Sequence, residues 1–229
     1  MADKPSRGLV LYGDGLARFI HTHLHDLASR GICGFLSLSE TEDERIVREF
    51  AQLLDSCEPT ISERFMGMRA AIVALGFTVM QTDELASESL KLLGFQEGKT
   101  LETSQFDLIF MHIYINGLVG RIMQTAEPGS EIGSRLHLSL VMSYGAVSEN
   151  NSDLSSLSPR QSYTMKGGNI RHHCPMLIAQ WQYAVTRKDM AKTFSFEDFK
   201  EHGGNLTIPA DRFLHEVAFK LWKAPKYGA

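Results

Sequence analysis

Gly8-Leu-Val-Leu-Tyr-Gly-Asp14-Gly-Leu16, followed by Thr22-His-Leu-His-Asp-Leu-Ala-Ser-Arg-Gly31-Ile-Cys-Gly-Phe-Leu36, decides the fold. An unbroken apolar run ending in Gly-Asp-Gly reads as a strand buried on both faces. It delivers one carboxylate, Asp14, to the end of a sheet, and the flanking glycines let the backbone turn there. The next segment reads as a short helix, Leu24 to Ser29, stopped by Gly31 as a C′ glycine and leading into a second apolar segment. Ligands gather at the carboxyl ends of strands in open α/β sheets, so Asp14 is the first candidate site residue.

Outward from this stretch, strands are expected at Gly8–Tyr12, Arg69–Ala74, Phe77–Met80, Phe106–Ile113, Leu136–Met142 and Met176–Gln180. Helical segments lie between them. Thr41–Ser56 carries Ile46, Val47, Phe50, Leu53 and Leu54 at i, i+3, i+4, i+7 spacing, with acidic residues in its first turn that suit the helix dipole. Leu85–Leu93, closed by Gly94, and Asn116–Thr125 are shorter. After Pro209, Asp211–Trp222 is amphipathic and is expected to pack on the sheet, Trp222 with it, the alternative being that this helix presents an edge to a partner. Such alternation predicts an α/β fold, a mostly parallel central sheet with helices on both faces, forming one domain over residues 1–229. Ser148–Ser158, rich in Ser and Asn, reads as a loop.

Two junctions are too tight for this scheme. Ala70–Ala74 runs directly into Gly76–Met80, although parallel neighbours need a crossover of about a dozen residues. Phe106–Ile113 passes through Tyr114 and Ile115 into a helix with no loop at the edge where function usually sits. The expectation is that connecting residues are absent near 74–76, 114–117, 149–152 and 167–169, and that the intact protein has a mass well above 25.6 kDa.

Composition narrows the class. The 229 residues suffice for one sizeable α/β core, and a formal charge of −4 gives no electrostatic reason to expect nucleic acid or an anionic membrane as partner. Cys33, Cys57 and Cys174 lie far apart, without Cys-x-x-Cys spacing, which indicates neither a disulfide framework nor a thiolate zinc site. No apolar run reaches the roughly 18 residues of a membrane span. A cytoplasmic or nuclear protein is expected.

Taken in order, several segments resemble the metal-dependent alkaline phosphatase superfamily, and within it the cofactor-independent phosphoglycerate mutases. Val10-Leu-Tyr-Gly-Asp14-Gly-Leu resembles the family's opening strand with its metal-binding Asp. Thr22-His-Leu-His-Asp26-Leu-Ala-Ser-Arg-Gly31 resembles Thr-Pro-Asn-x-Asp-x-Leu-Ala-x-x-Gly, with His23 where Pro is usual. Phe106-Asp-Leu-Ile-Phe-Met-His112 resembles the Asp-x-x-x-x-His strand. His172-His-Cys-Pro175 resembles the segment in which a metal-binding His precedes Val-Pro, and Gly203-Gly-Asn-Leu resembles the C-terminal passage. The chain is also similar to plant proteins described as alkaline-phosphatase-like.

The resemblance implies two divalent ions that hold phosphate and activate a Ser or Thr. It makes Asp14, His172 and His173 candidate metal ligands, Thr41 the candidate nucleophile, and the Ser37–Thr41 turn part of the pocket. Ser39, Ser143 and Arg171 are candidate phosphate-binding residues. The match is incomplete. Where relatives read Ser-Asp or Thr-Asp-His-Gly, this chain has Met142-Ser143-Tyr144-Gly145, and after His112 it has Tyr114-Ile-Asn-Gly in place of Asp-x-x-x-His. Ser and Tyr bind a divalent ion poorly at neutral pH, so at most one ion (Mn, Zn or Mg) is expected. The inserted cap domain of the mutases is absent or vestigial. A degenerate, non-catalytic protein is therefore expected, one that binds a small phosphorylated ligand or a protein through the remnant pocket. The alternative is an active phosphomonoesterase or phosphomutase with a rearranged metal site.

Structural alternatives stand beside each candidate. Asp14 suits a helix cap, and Thr41-x-x-Glu44 is a capping box. His21, His23 and His25 have a spacing that a metal could use, but they read better as histidines at a helix start. His112 on an apolar strand suits a core position, and Cys174 an inert buried one. Of the adjacent His172 and His173, at most one enters a site.

Overall fold

A computed structural model describes residues 4–14, 22–39, 45–55, 60–74, 82–112, 116–143, 157–159, 170–171, 176–203 and 207–225. The junctions at 74–76, 114–117, 149–152 and 167–169, and the strand expected at Phe77–Met80, fall wholly or largely outside them.

Strand β1 (Arg7–Asp14) lies inside a seven-stranded sheet with β3 (Ala70–Ala74), β6 (Leu108–His112), β7 (Leu136–Ser143), β8 (Met176–Trp181), β2 (Ile32–Ser37) and β9 (Thr207–Pro209). The order is β3-β6-β1-β7-β8-β2-β9, and β8 alone of these strands runs antiparallel to the rest. A small hairpin, β4 (Phe95–Gln96) and β5 (Lys99–Thr100), stands apart. The expected α/β architecture is present, and β2 and β9 extend the sheet beyond the strands read from the sequence.

The apolar runs are continuous because both faces of the sheet are covered. Leu9 and Leu11 of β1 join Ile109 and Met111 of β6 under α1 (Thr22–Arg30), α4 (Thr82–Leu92), α5 (Asn116–Thr125) and α7 (Phe196–His202). Val10, Tyr12, Leu108 and Phe110 point the other way, beneath α2 (Arg45–Leu54), α3 (Ile61–Arg64) and α8 (Phe213–Lys220). Each fully buried Leu or Phe contributes about 1.5–3 kcal/mol of transfer free energy. The short α6 (Glu131–Arg135) leads directly into β7.

Two local expectations change. Gly31 does not have the left-handed backbone of a C′ glycine: a Cβ there would lie 2.7 Å from the Gln180 carbonyl oxygen, so close approach of β8 requires the glycine. Gly94, at φ +80°, does end α4 in the expected manner. The C-terminal helix packs on the sheet as expected, but Trp222 does not. It lies past the end of α8 and is 58 % exposed, because Leu221 takes the buried position.

Candidate functional site

The β1–β7 register, from Arg7↔Leu136 to Asp14↔Ser143, brings the ends of these two strands together at the carboxyl edge of the sheet. Tyr12 also pairs with His112 in the β1–β6 register. Because β8 is antiparallel, its first residue, Met176, meets Ser143 at the same edge. Arg171 is anchored nearby, its backbone N–H donating to the Leu38 carbonyl at 2.8 Å, beside a bridge between Ser39 and Ile170.

Glu49 of α2, 1 % exposed, is the centre of this edge. Its Oε2 accepts from the Tyr12 hydroxyl at 2.7 Å. Its Oε1 accepts from Ser143 Oγ at 3.2 Å and from Arg171 Nη2 at 2.5 Å. The ion pair is nearly dry, the Arg171 side chain being 9 % exposed. A buried carboxylate is tolerable only when paired and hydrogen-bonded, and Glu49 meets both conditions.

Of the expected site residues, Ser143 and Arg171 therefore converge on one carboxylate that the sequence reading passed over. The available signal was that Glu49 stands three residues after Ile46 and four before Leu53, on the apolar stripe of its helix. Ser39 lies beside the pair, its backbone N–H donating to the Gln52 side chain at 3.0 Å. Ser37, on the same expected turn, gives its hydroxyl to the Leu157 carbonyl. Thr41, His172, His173, His21, Cys57, Cys174 and the Thr41–Glu44 capping box lie outside the described residues, as do the side chains of Asp14 and His112.

Away from the edge, His23 lies against α5, where a Cβ on Gly120 would meet its ring at 2.6 Å. His25 Nδ1 accepts from the Phe194 N–H at 3.0 Å. Cys33 is a free, buried thiol, its pKa raised by burial and then by Asp189 and Asp198. Asp198, Glu201 and His202 of α7 cluster closely enough for a cation, but Asp198 already accepts from Thr193 and contacts His202.

The described donors around Glu49 are a guanidinium and two hydroxyls, which neutralise the carboxylate and engage both of its oxygens. Among the described side chains the edge does not fit a two-metal centre. The pair is neutral as a whole, and its guanidinium has the fork geometry that orients planar oxyanions.

These features define a mixed α/β protein with a mostly parallel seven-stranded sheet and a buried ion pair at its carboxyl edge. No family model and no curated protein matches the chain. A solved structure, that of the PH0037 protein from Pyrococcus horikoshii, is similar in fold: TM-score 0.59, 11 % identity, with all of each chain covered. Among the described residues no helix is long and apolar enough to cross a membrane.

Proposed function

We propose that the chain is a non-catalytic binding protein on an alkaline-phosphatase-like core, taking a small phosphorylated ligand or a protein segment at the carboxyl edge. The observation that carries this reading is the Glu49 carboxylate, engaged by Tyr12, Ser143 and Arg171. A buried, neutral ion pair thus occupies the edge where the resemblance calls for metal. The Arg171 guanidinium, already donating to Glu49, would share its donors with an oxyanion, and Ser143 and Ser39 stand beside it. Hydrolysis would need an activated nucleophile or water, and the carboxylate beside Ser143, that of Glu49, is already engaged by Arg171 and Tyr12.

The second reading, an active phosphomonoesterase with one ion on Asp14 and His172 or His173, draws support from the register that brings Asp14 to this edge. One experiment separates the two. The full chain is titrated with inorganic phosphate and with phosphoserine, in EDTA and in manganese or zinc, while p-nitrophenyl phosphate turnover and bound metal are measured. Binding that survives EDTA and weakens in Arg171→Gln, without turnover, is the expected result. Metal-dependent turnover lost in Asp14→Asn would replace it with the active reading.

A further inference from the structure

The opposite, amino edge of the sheet carries a feature that the carboxyl edge does not explain. Four adjacent parallel strands, β3, β6, β1 and β7, each begin at a charged residue: Arg69 and Asp107 directly precede β3 and β6, Arg7 opens β1, and Arg135 directly precedes β7. Across the edge the order is therefore Arg69, Asp107, Arg7, Arg135. Asp107 is shared by three cations: Arg69 at 3.4 Å, Lys223 at 3.8 Å and Arg7 at 3.9 Å. Burial raises its carboxyl pKa, but hydrogen bonds from Arg69 and the charges of Lys223 and Arg69 outweigh this and hold it below the ordinary value. Arg135 and Lys4 are exposed, and neither has a carboxylate partner among the described residues. The chain two residues beyond Lys4 lies against Arg135, where Ser6 N–H donates to the Arg135 carbonyl at 2.9 Å.

Trp222 stands at the same end. The Lys4 ammonium lies 3.4 Å from its ring centroid. Its backbone closes α8 in a Schellman arrangement, Trp222 N–H to Phe219 carbonyl at 3.0 Å and Lys223 N–H to Ala218 carbonyl at 2.8 Å. That places Trp222 at the C′ position with φ +62°, where glycine is favoured and a side chain costs about 1 kcal/mol or more. Lys223 and Lys220 suit the negative end of the α8 dipole, and Asp107 answers Arg7. Helix and sheet stability leave Lys4, Arg135 and the strained, exposed Trp222 unexplained.

We propose that this edge, with Trp222 as its apolar anchor, is a docking surface for an acidic peptide segment of a partner protein. The row from Arg69 to Arg135 spans three interstrand spacings, about 14 Å, which about four extended residues cover. Its charges are spaced and interrupted by Asp107, which matches separate carboxylates and opposes a continuous phosphate chain. One exposed tryptophan is a weak membrane anchor. This surface is at the far end of the strands from Glu49, so its failure and that of the carboxyl-edge reading are read separately.

The test follows Trp222 fluorescence. The chain's other tryptophan, Trp181, is buried, and Trp181→Phe gives a single-reporter background. A capped peptide of Glu and Asp with one central Leu is titrated into this protein in about 50 mM salt. Oligothymidylate of equal charge and phosphatidylserine vesicles are run in parallel. Expected is saturable binding of the peptide, weakened about tenfold or more by Lys4→Glu/Arg135→Glu or by about 300 mM salt, and unchanged by Arg121→Glu. Wild type and Trp222→Gly, compared by calorimetry, should differ by a similar loss with the fold intact. If the double variant does not fold, the salt dependence and Trp222→Gly decide. No saturable peptide binding, binding indifferent to these changes, or tighter binding of oligothymidylate or vesicles overturns the proposal.

Discussion

Arg171 and Glu49, separated by 122 positions in the chain, form a buried ion pair at 2.5 Å that joins the segment preceding β8 to helix α2 at the carboxyl edge of the sheet. Removing one member leaves the other charged in a dry site, at a cost of about 3–5 kcal/mol, whereas replacing both with apolar groups of similar size is often close to neutral. Glu49→Leu should therefore lower stability by about that amount in urea unfolding, and Glu49→Leu/Arg171→Met should recover at least half of it. Losses that simply add would show that the two side chains are not coupled.

The Tyr12 hydroxyl donates to the other oxygen of Glu49 at 2.7 Å. A hydrogen bond to a charged group contributes about 1.5–3 kcal/mol, so Tyr12→Phe should cost about that much in the wild-type background. In the Glu49→Leu background it should cost little. An equal cost in both would place the value of Tyr12 in its packing against Phe50, whose ring centroid is 5.6 Å away.

The sheet was legible in the sequence because its strands are buried on both faces, and continuous apolar runs such as Leu9–Tyr12 and Leu108–Met111 have no other easy use. β2 was missed as a strand because Gly34 interrupts it, and β9 because it is only Thr207–Pro209, with a proline at its end. The site was half legible. Ser143 and Arg171 were reached through resemblance, but Glu49 looks like any helix glutamate until the helix is placed over Tyr12. Gly31 and Trp222 failed for a related reason. Whether a glycine serves a turn or a close approach, and whether a tryptophan is covered, depends on tertiary neighbours that local pattern does not contain.

Gly31 yields a direct test of that distinction. A methyl group there would press on the Gln180 carbonyl at 2.7 Å and the Leu27 carbonyl at 3.0 Å, both backbone atoms that cannot step aside cheaply. Gly31→Ala should lower stability by about 1–3 kcal/mol, the usual cost of overpacking. A stabilised variant, as expected for a glycine replaced in unstrained open space, would contradict the contact.

His137 of β7 is buried with Nε2 at 3.0 Å from Ser139 Oγ. Burial first, and then the charge of Lys220, push its pKa well below the ordinary value, against a smaller pull from Gln182. The folded protein therefore holds the ring neutral while the unfolded chain takes up a proton below about pH 6.5. Its effect on stability is absent above that pH and grows as a loss when pH falls below it. Urea midpoints should decline from pH 7 to 5, and His137→Gln should flatten that decline. Parallel declines would assign the acid sensitivity to other groups.

Lys220 gives the opposite limb. Its Nζ donates to Gln180 Oε1 at 2.6 Å, and burial lowers its pKa to about 8 despite Glu216. The unfolded chain keeps the proton until about pH 10.4. Between these values the folded state binds fewer protons than the unfolded, so this group makes stability rise with pH from about 8 upward. The slope should vanish in Lys220→Met, measured by urea unfolding at pH 7.5, 8.5 and 9.5, and its persistence would remove Lys220 as the cause.

Trp222 permits the sharpest separation of stability from binding. Its left-handed backbone favours glycine, while its contact with Lys4 contributes only about 0.5–1 kcal/mol at an exposed site. Trp222→Gly should accordingly range from unchanged stability to a gain of about 1 kcal/mol, because the relieved backbone strain offsets the lost ring contact. Trp222→Ala, which loses the same contact but keeps a Cβ in the left-handed region, should be less stable than Trp222→Gly by about 1 kcal/mol. A glycine variant clearly weaker than wild type would mean that the ring supports the end of α8, and its exposure would then need no partner to account for it.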